Sequence, residues 1–294
     1  MRALPHRGAL DSVRLTTTNH DRDAAALTYV YPVVSRRARG VSVGINLNPN
    51  DACNWRCVYC QVPGLVQGAA PRIDLAKLRE ELAGMLATIT SAGWMDAHVP
   101  AGARRLNDVA FSGNGEATTS HQLDAAVEVV HAVLAGHGLL DEIAVVLITN
   151  GSLVHRPHVR AALERLAEHR GEVWFKLDSA TEEGRRRLND VAVPDARVRE
   201  NLDQCARTCP TRIQTMALAL DGEPPSEEEV AAWTALVGDL VRSGTPIRDV
   251  LLYGLERASH QPEAPRLSPV SDDWLAALAA RITRETGLDV SVSP

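Results

Sequence analysis

The chain has 294 residues, of which 45% are hydrophobic and 23% are charged. This composition supplies a core for one large domain and excludes disordered, collagen-like and coiled-coil proteins. The net charge of -6 excludes an overall basic field that would neutralise nucleic-acid phosphates. No stretch approaches the ~18 apolar residues of a membrane span, and the first 15 residues lack a continuous apolar core. We therefore expect a cytoplasmic protein that does not enter a membrane.

Six short β-branched runs alternate with longer amphipathic stretches, which is typical of repeated βα units. The predicted strands are Val41–Leu47, Asp108–Ser112, Ile143–Thr149, Glu172–Leu177, Arg212–Leu218 and Asp249–Leu255. The predicted helices are Leu75–Ser91, His121–Leu134, Pro157–His169, Ser226–Arg242 and Asp272–Arg284, with a broken helical region over Glu182–Cys209. The fold class is thus α/β, a partial (β/α)6 TIM-type barrel of parallel strands. We expect residues 1–40 to form an N-terminal extension and residues 41–294 the barrel domain.

Polar loops follow several of these strands, at the sheet edge where α/β folds bind ligands. The first such loop holds Cys53, Cys57 and Cys60 within eight residues. Three thiolates on a tight loop can hold three irons of a cubane cluster, because soft thiolates suit iron and sulfide. The alternatives are a structural zinc site and three inert buried thiols, although no histidine lies between His20 and His98 to complete a zinc site locally.

Two further cysteines, Cys205 and Cys209, stand far downstream at a spacing of four residues. On a helix this spacing places both side chains on one face. Structural burial is the expected role of such thiols, since free cysteine is commonly buried. A redox pair or a hydrogen-atom donor is the alternative.

The spacing Cys-x3-Cys-x2-Cys, with Tyr59 directly before the third cysteine, resembles the signature of the radical S-adenosylmethionine (radical SAM) superfamily. The resemblance implies a [4Fe-4S] cluster on Cys53, Cys57 and Cys60, with SAM chelating the fourth iron. It also implies reductive cleavage of SAM to methionine and a 5'-deoxyadenosyl radical, which takes a hydrogen atom from a substrate. Tyr59 would then pack near the adenine; the alternative is an ordinary core aromatic.

Loops after the later strands supply the other cofactor-binding residues that the resemblance implies. The run Gly113, Asn114, Gly115 and Glu116 stands where the family binds the SAM amino group, and its alternative is a tight turn with a solvated glutamate. Groups for the ribose and the methionine carboxylate would come from Thr149, Asn150, Lys176, Asp178 and Ser179. Lys176 interrupts an apolar strand, which favours a ligand-binding role; the alternative is a surface charge. Gln214 and Tyr253 on later strands are further candidates for ligand binding.

Residues 29–37, the cysteine loop and the runs 112–116, 148–152 and 176–178 together are similar to the wybutosine-synthesis-like branch of this superfamily, over about residues 29–256. Members that act on tRNA carry further cysteines for a second cluster, which are missing before Cys53, and Ala117 replaces a frequent proline. We therefore expect a single-cluster enzyme with a flavodoxin or ferredoxin as electron donor and an unidentified substrate, a small molecule rather than RNA. The alternatives are an RNA-modifying enzyme and a non-catalytic iron-sulfur or zinc-binding module.

Overall fold

The computed structural model describes residues 14–16, 25–35 and 40–293. Within them, eight strands form the main sheet. In their order across the sheet they are β1 (Val30–Ser35), β2 (Gly40–Ile45), β5 (Leu106–Phe111), β6 (Ala144–Thr149), β7 (Gly171–Lys176), β8 (Thr211–Ala217), β10 (Ile247–Gly254) and β12 (Val290–Ser293). β1 runs antiparallel to β2, and every other neighbouring pair is parallel. The sheet curls into a half-barrel.

Two short two-stranded sheets stand apart from the main one. They pair β3 (Ala52–Cys53) with β4 (Val66–Gln67), and β9 (Ala219–Leu220) with β11 (Leu267–Ser268). The helices are α1 (Leu75–Ile89), α2 (Trp94–His98), α3 (Leu123–Gly136), α4 (Pro157–Ala167), α5 (Glu182–Asn189), α6 (Asp195–Thr208), α7 (Glu227–Arg242) and α8 (Asp272–Thr286). Short 3-10 turns cover Ala101–Ala103, Ala117–Thr119 and Ala264–Arg266.

The predicted barrel is confirmed: its six parallel strands are β2, β5, β6, β7, β8 and β10. Local signals start several helices where the sequence indicates. Ser226 caps α7 by accepting a hydrogen bond from the Glu229 amide. Three glutamates in the first turn stabilise the helix further, because their negative charges lie at the positive end of its dipole. The predicted broken helical region, Glu182–Cys209, contains two separate helices, α5 and α6.

The two edge strands, β1 and β12, were not predicted. β1 comes from the segment assigned to the N-terminal extension, yet it pairs with β2 along its whole length. Residues 1–13, 17–24 and 36–39 of that segment lie outside the described residues, so the boundary at residue 40 stays a prediction. β12 has only four residues, too few for a clear period-two pattern.

Successive side chains of each strand point to opposite faces of the sheet. One face packs against the helices, where Val145 and Leu147 of β6 join the main core. The other face lines the barrel lumen, with Ala110, Val146 and Trp174 packed at its base. Polar side chains follow above them toward the carboxyl ends of the strands.

Cys205 and Cys209 belong to the helix-side core, where both thiols are buried. Burial raises the pKa of the Cys205 thiol to about 12 and also raises that of Cys209. The expected structural burial is thereby confirmed. No helix within the described ranges is long and apolar enough to cross a membrane.

Candidate active site

The cysteine loop lies over the carboxyl edge of the barrel strands, after β2. Cys53 ends β3, and the Cys60 amide donates to the Cys57 carbonyl oxygen at 2.9 Å. All three thiols are free and partly buried. They line one cavity of about 270 Å³ that reaches down to Lys176 and Gln214 in the lumen.

Residues 259–263 hold this loop in place through hydrogen bonds. The Ser259 hydroxyl donates to the Val58 carbonyl oxygen at 2.7 Å, and the His260 amide donates to the Cys60 carbonyl oxygen at 2.9 Å. Arg56 forms two 2.9 Å hydrogen bonds with Glu263. The loop conformation therefore depends on residues about 200 positions away in the sequence.

Burial is the largest influence on the pKa values of Cys53 and Cys57. It raises the pKa of Cys53 to about 12 and that of Cys57 to about 11. Two groups favour the charged form of Cys57: the nearby ammonium of Lys176, and the side-chain amide of Asn189, which donates to its sulfur at 3.2 Å. A metal that binds these sulfurs must displace their protons.

Seven of the ten predicted cofactor-binding residues line the cavity together with the three cysteines. They are Tyr59, Gly113, Asn114, Gly115, Glu116, Asn150 and Lys176. Thr149, Asp178 and Ser179 lie outside its lining. The hydroxyls of Thr149 and Ser179 are bonded to Glu116 and Glu229 respectively, and Asp178 lines a neighbouring cavity.

Glu116 is buried, so the alternative of a turn with a solvated glutamate is wrong. One carboxylate oxygen accepts from the Thr118 amide and hydroxyl and from the Thr149 hydroxyl, at 3.1, 2.6 and 2.7 Å. The other accepts from the Asn150 amide at 2.7 Å. The carboxylate thereby joins the loop after β5 to the end of β6.

Replacing Glu116 with alanine should lower the free energy of unfolding by about 3 kcal/mol, because buried donors lose their acceptor. Urea denaturation followed by circular dichroism measures the change. Glu128→Ala, at an exposed position of α3, is the control and should stay within about 0.5 kcal/mol of wild type. Equal stability of the two variants would contradict the bonding role of Glu116.

The two glycines of this run pack against the segment that leads to Cys53. A Cβ atom on Gly113 would lie 2.4 Å from Oδ1 of Asn46, and one on Gly115 would lie 2.0 Å from the Ala52 carbonyl oxygen. Any side chain at either position would push the two loops apart. Glycine here permits close contact between loops.

Lys176 points into the lumen, so the alternative of a surface charge is wrong. Its Nζ donates to the hydroxyls of Tyr59 and Tyr253 at 2.9 and 3.0 Å and lies 3.7 Å from Oδ2 of Asp178. Burial alone would lower the pKa of Lys176, but Asp178 and Tyr253 raise it above its ordinary value. The side chain is therefore an ammonium at neutral pH.

Asp178 organises the same network from outside the cavity. Its carboxylate accepts from the Tyr59 hydroxyl, from the Asn189 amide at 3.0 Å and from the Met216 backbone amide at 3.0 Å. Tyr59 is also packed among Val58, Met216 and Leu218. It therefore serves as a core aromatic while it lines the cavity.

Sequence reasoning missed Asn189, which reaches Cys57 from α5 with no local motif to mark it. Gln214 was only a weak candidate, yet its side chain lines the cavity and is almost fully buried. Its Nε2 atom has no hydrogen-bond partner. A buried donor without a partner at a cavity wall suits a bound ligand.

The residues present fit an iron-sulfur cluster with SAM. Three thiols converge on one cavity, and an N–H group already donates to one sulfur, as is usual around clusters. The Lys176 ammonium and the Gln214 amide provide donors for a carboxylate or hydroxyl group beside them.

The chain is similar to several known proteins. The UPF0026 protein MJ1312 of Methanocaldococcus jannaschii is 30% identical over 164 residues, which are 54% of this chain and 42% of that protein. A radical SAM methyltransferase from Sphaerobacter thermophilus aligns with a TM-score of 0.59 and 15% identity, over 86% of this chain and 66% of that one. TYW1 with a lysine-pyruvate adduct bound aligns with a TM-score of 0.53 and 15% identity, over 84% of this chain and 74% of that one. At these identities the structural likeness shows the fold alone.

The cysteine loop, the run ending at Glu116 and the barrel strands β5 to β8 fall within one family match. The model of the radical SAM superfamily matches residues 47–234, more than half of the chain. Enzymes of this superfamily use a [4Fe-4S] cluster and SAM, and they need a reductant and a substrate. The protein therefore belongs to the radical SAM superfamily of enzymes.

Proposed function

We propose that this protein is a single-cluster radical SAM enzyme in which Cys53, Cys57 and Cys60 hold the [4Fe-4S] cluster. The observation that carries the proposal is the convergence of three free thiols, the Gly113–Glu116 run and Lys176 on one cavity at the carboxyl edge of the barrel. Bound there and reduced, the cluster would supply the electron for cleavage of SAM to methionine and a 5'-deoxyadenosyl radical, which would abstract hydrogen from the substrate.

The cavity residues divide into ligand contacts and supports. Asn114, Asn150, Lys176 and Gln214 offer polar groups on its wall, and Tyr59 offers an aromatic ring. Glu116 also lines the cavity, but its four hydrogen bonds make it a support for the loops beside SAM. Thr149, Asp178 and Ser179 are bonded behind the wall, and we propose that they act through the residues they hold.

The size of a second cavity supports a small-molecule substrate. It measures about 600 Å³, adjoins the first at Tyr59 and Met216, and is lined further by the ends of β8 and α7. Pockets of this volume suit molecules of drug-like size. The net charge of -6 disfavours RNA.

We propose a member of the wybutosine-synthesis-like branch, on the resemblance of its loop motifs. The chain lacks the cysteines for a second cluster that tRNA-modifying members of that branch carry, so we propose a single cluster. As electron donor we propose a flavodoxin or ferredoxin in the cytoplasm. These finer assignments rest on the sequence motifs, and the substrate is unidentified. An RNA substrate would instead give salt-sensitive RNA binding.

The decisive experiment is anaerobic reconstitution with iron and sulfide, followed by addition of dithionite and SAM. We expect about four irons per chain, a change in the electron paramagnetic resonance spectrum on adding SAM, and 5'-deoxyadenosine detected by mass spectrometry. Zinc in place of iron, or a cluster that neither responds to SAM nor cleaves it, would overturn the proposal and leave a metal-binding module.

Asn189 should tune the cluster through its hydrogen bond to Cys57. Removing an N–H donor from a ligating sulfur disfavours the more negative reduced state, so Asn189→Leu should lower the reduction potential by on the order of 50 mV. Spectroscopic redox titration measures the shift. Asn107→Leu, on β5 away from the cavity lining, should leave the potential unchanged; an unchanged potential in Asn189→Leu would contradict the role.

A further inference from the structure

A group of metal-binding side chains lies away from the cysteine cavity, at the opposite edge of the barrel. His131 lies on α3, while Glu168 and His169 follow α4 directly and precede β7. One ligand atom of each residue lies within 4.8 Å of the others. The carboxyl ends of the strands carry the cysteine loop, whereas residues before a strand lie at its amino end.

We propose that His131, Glu168 and His169 together bind one zinc ion. Two imidazole nitrogens and one carboxylate form a recognised zinc ligand set, with water in the fourth position. The rings of His131 and His169 are 4.9 Å apart and nearly perpendicular. Small side-chain rotations would place one nitrogen of each ring about 2 Å from a shared zinc ion, the usual zinc–nitrogen distance.

The burial of His131 is an independent observation that points to a ligand. Its side chain is more than nine-tenths buried, and its Nε2 atom has no hydrogen-bond partner. Burying a polar atom without a partner is costly, so such an atom in a native protein calls for a bound species. Glu168 is exposed and His169 half-buried, which leaves the site open to solvent on one side.

The surroundings favour a cation. Nδ1 of His169 lies 3.3 Å from Oδ1 of Asp141, the carboxylate–histidine arrangement that orients zinc ligands. Glu168 and His169 also lie at the carboxyl end of α4, where the helix dipole is negative. The nearby Arg165 is neutralised by Asp124 at 2.6 Å. The ion would fasten the end of α4 to α3.

Metal analysis of the reconstituted holoenzyme tests the site. After equilibration with zinc and dialysis, elemental analysis should find one zinc per wild-type chain in addition to the full iron content. His131→Ala and His169→Ala should lose the zinc and keep the iron, and Asp141→Asn should bind zinc about 10–100-fold more weakly. His137→Ala, an exposed histidine at the end of α3, is the matched control and should keep both metals.

Stability gives a second readout that does not depend on SAM chemistry. Zinc should raise the melting temperature of wild type and of His137→Ala but not of His169→Ala. Because His169 is only half-buried, its replacement by alanine should leave the fold intact. The proposal is overturned if wild type retains no zinc beyond its iron, or if His169→Ala retains as much as wild type. It is equally overturned if zinc appears only when Cys57→Ser has lost its iron, because the thiols would then be the ligands.

Discussion

Cys57→Ala should reduce 5'-deoxyadenosine formation by the reconstituted enzyme to the uncatalysed background and should prevent stable assembly of four irons. In the proposed cluster each of the three thiolates would hold one iron, so two thiolates would leave the cluster with too few protein ligands. Cys57 also carries the Asn189 hydrogen bond, which no other sulfur of the loop receives from that residue. Iron analysis and mass spectrometry measure the two losses.

Cys209→Ala is the matched control for this prediction. Cys209 is a buried thiol of the helix-side core, away from the cavity, and should be dispensable for iron binding. Full iron content and full activity in Cys57→Ala would contradict the cluster assignment. Loss of iron in Cys209→Ala, with a native circular dichroism spectrum, would do the same.

Lys176→Met should lower the free energy of unfolding by about 3–5 kcal/mol, the usual cost of removing one partner of a buried ion pair. The side chains of Lys176 and Asp178 are only 17% and 1% exposed. Without the ammonium, the buried Asp178 charge loses its cation and the Tyr59 and Tyr253 hydroxyls lose a donor. Urea denaturation with an unchanged m-value would report the loss.

Two further variants separate the ion pair from general damage. Lys77 is the only other lysine of the chain and is half exposed. Its 3.9 Å ion pair with the buried Glu81 is long, and that carboxylate keeps its hydrogen bonds from two backbone amides, so Lys77→Met should cost less than about 1 kcal/mol. Lys176→Met combined with Asp178→Asn should be more stable than the sum of the single effects predicts, because the unpaired charge is gone. Strict additivity would show that the two residues are not coupled.

The six barrel strands could be predicted because each contains a short, largely buried apolar run with β-branched or aromatic residues, a pattern that indicates a strand. β1 and β12 could not, since an edge strand is defined by its neighbour, and β12 is a short segment after a helix. The closeness of Cys53, Cys57 and Cys60 could be predicted from their spacing, because a loop of eight residues brings the three thiols together locally.

Side-chain partners from distant segments had no such signal. The Gly-rich run alone leaves open whether the Glu116 carboxylate is solvated, and only the folded chain brings Thr149 and Asn150, at the end of the next strand, into hydrogen bonds with it. Asn189 reaches Cys57 from 132 positions further along the chain. These contacts depend on how the sheet curls, which no local pattern of residues encodes.

The hydrogen bonds that join the cysteine loop to Ser259, His260 and Glu263 have a consequence for the assembly of the protein in the cell. A nascent chain on the ribosome would already carry all three thiols, but it would lack the groups that fix their backbone until residue 263 had emerged and folded back. The cofactor should therefore be loaded only after residue 263 has been synthesised, onto a barrel in which the strands up to β10 have already formed.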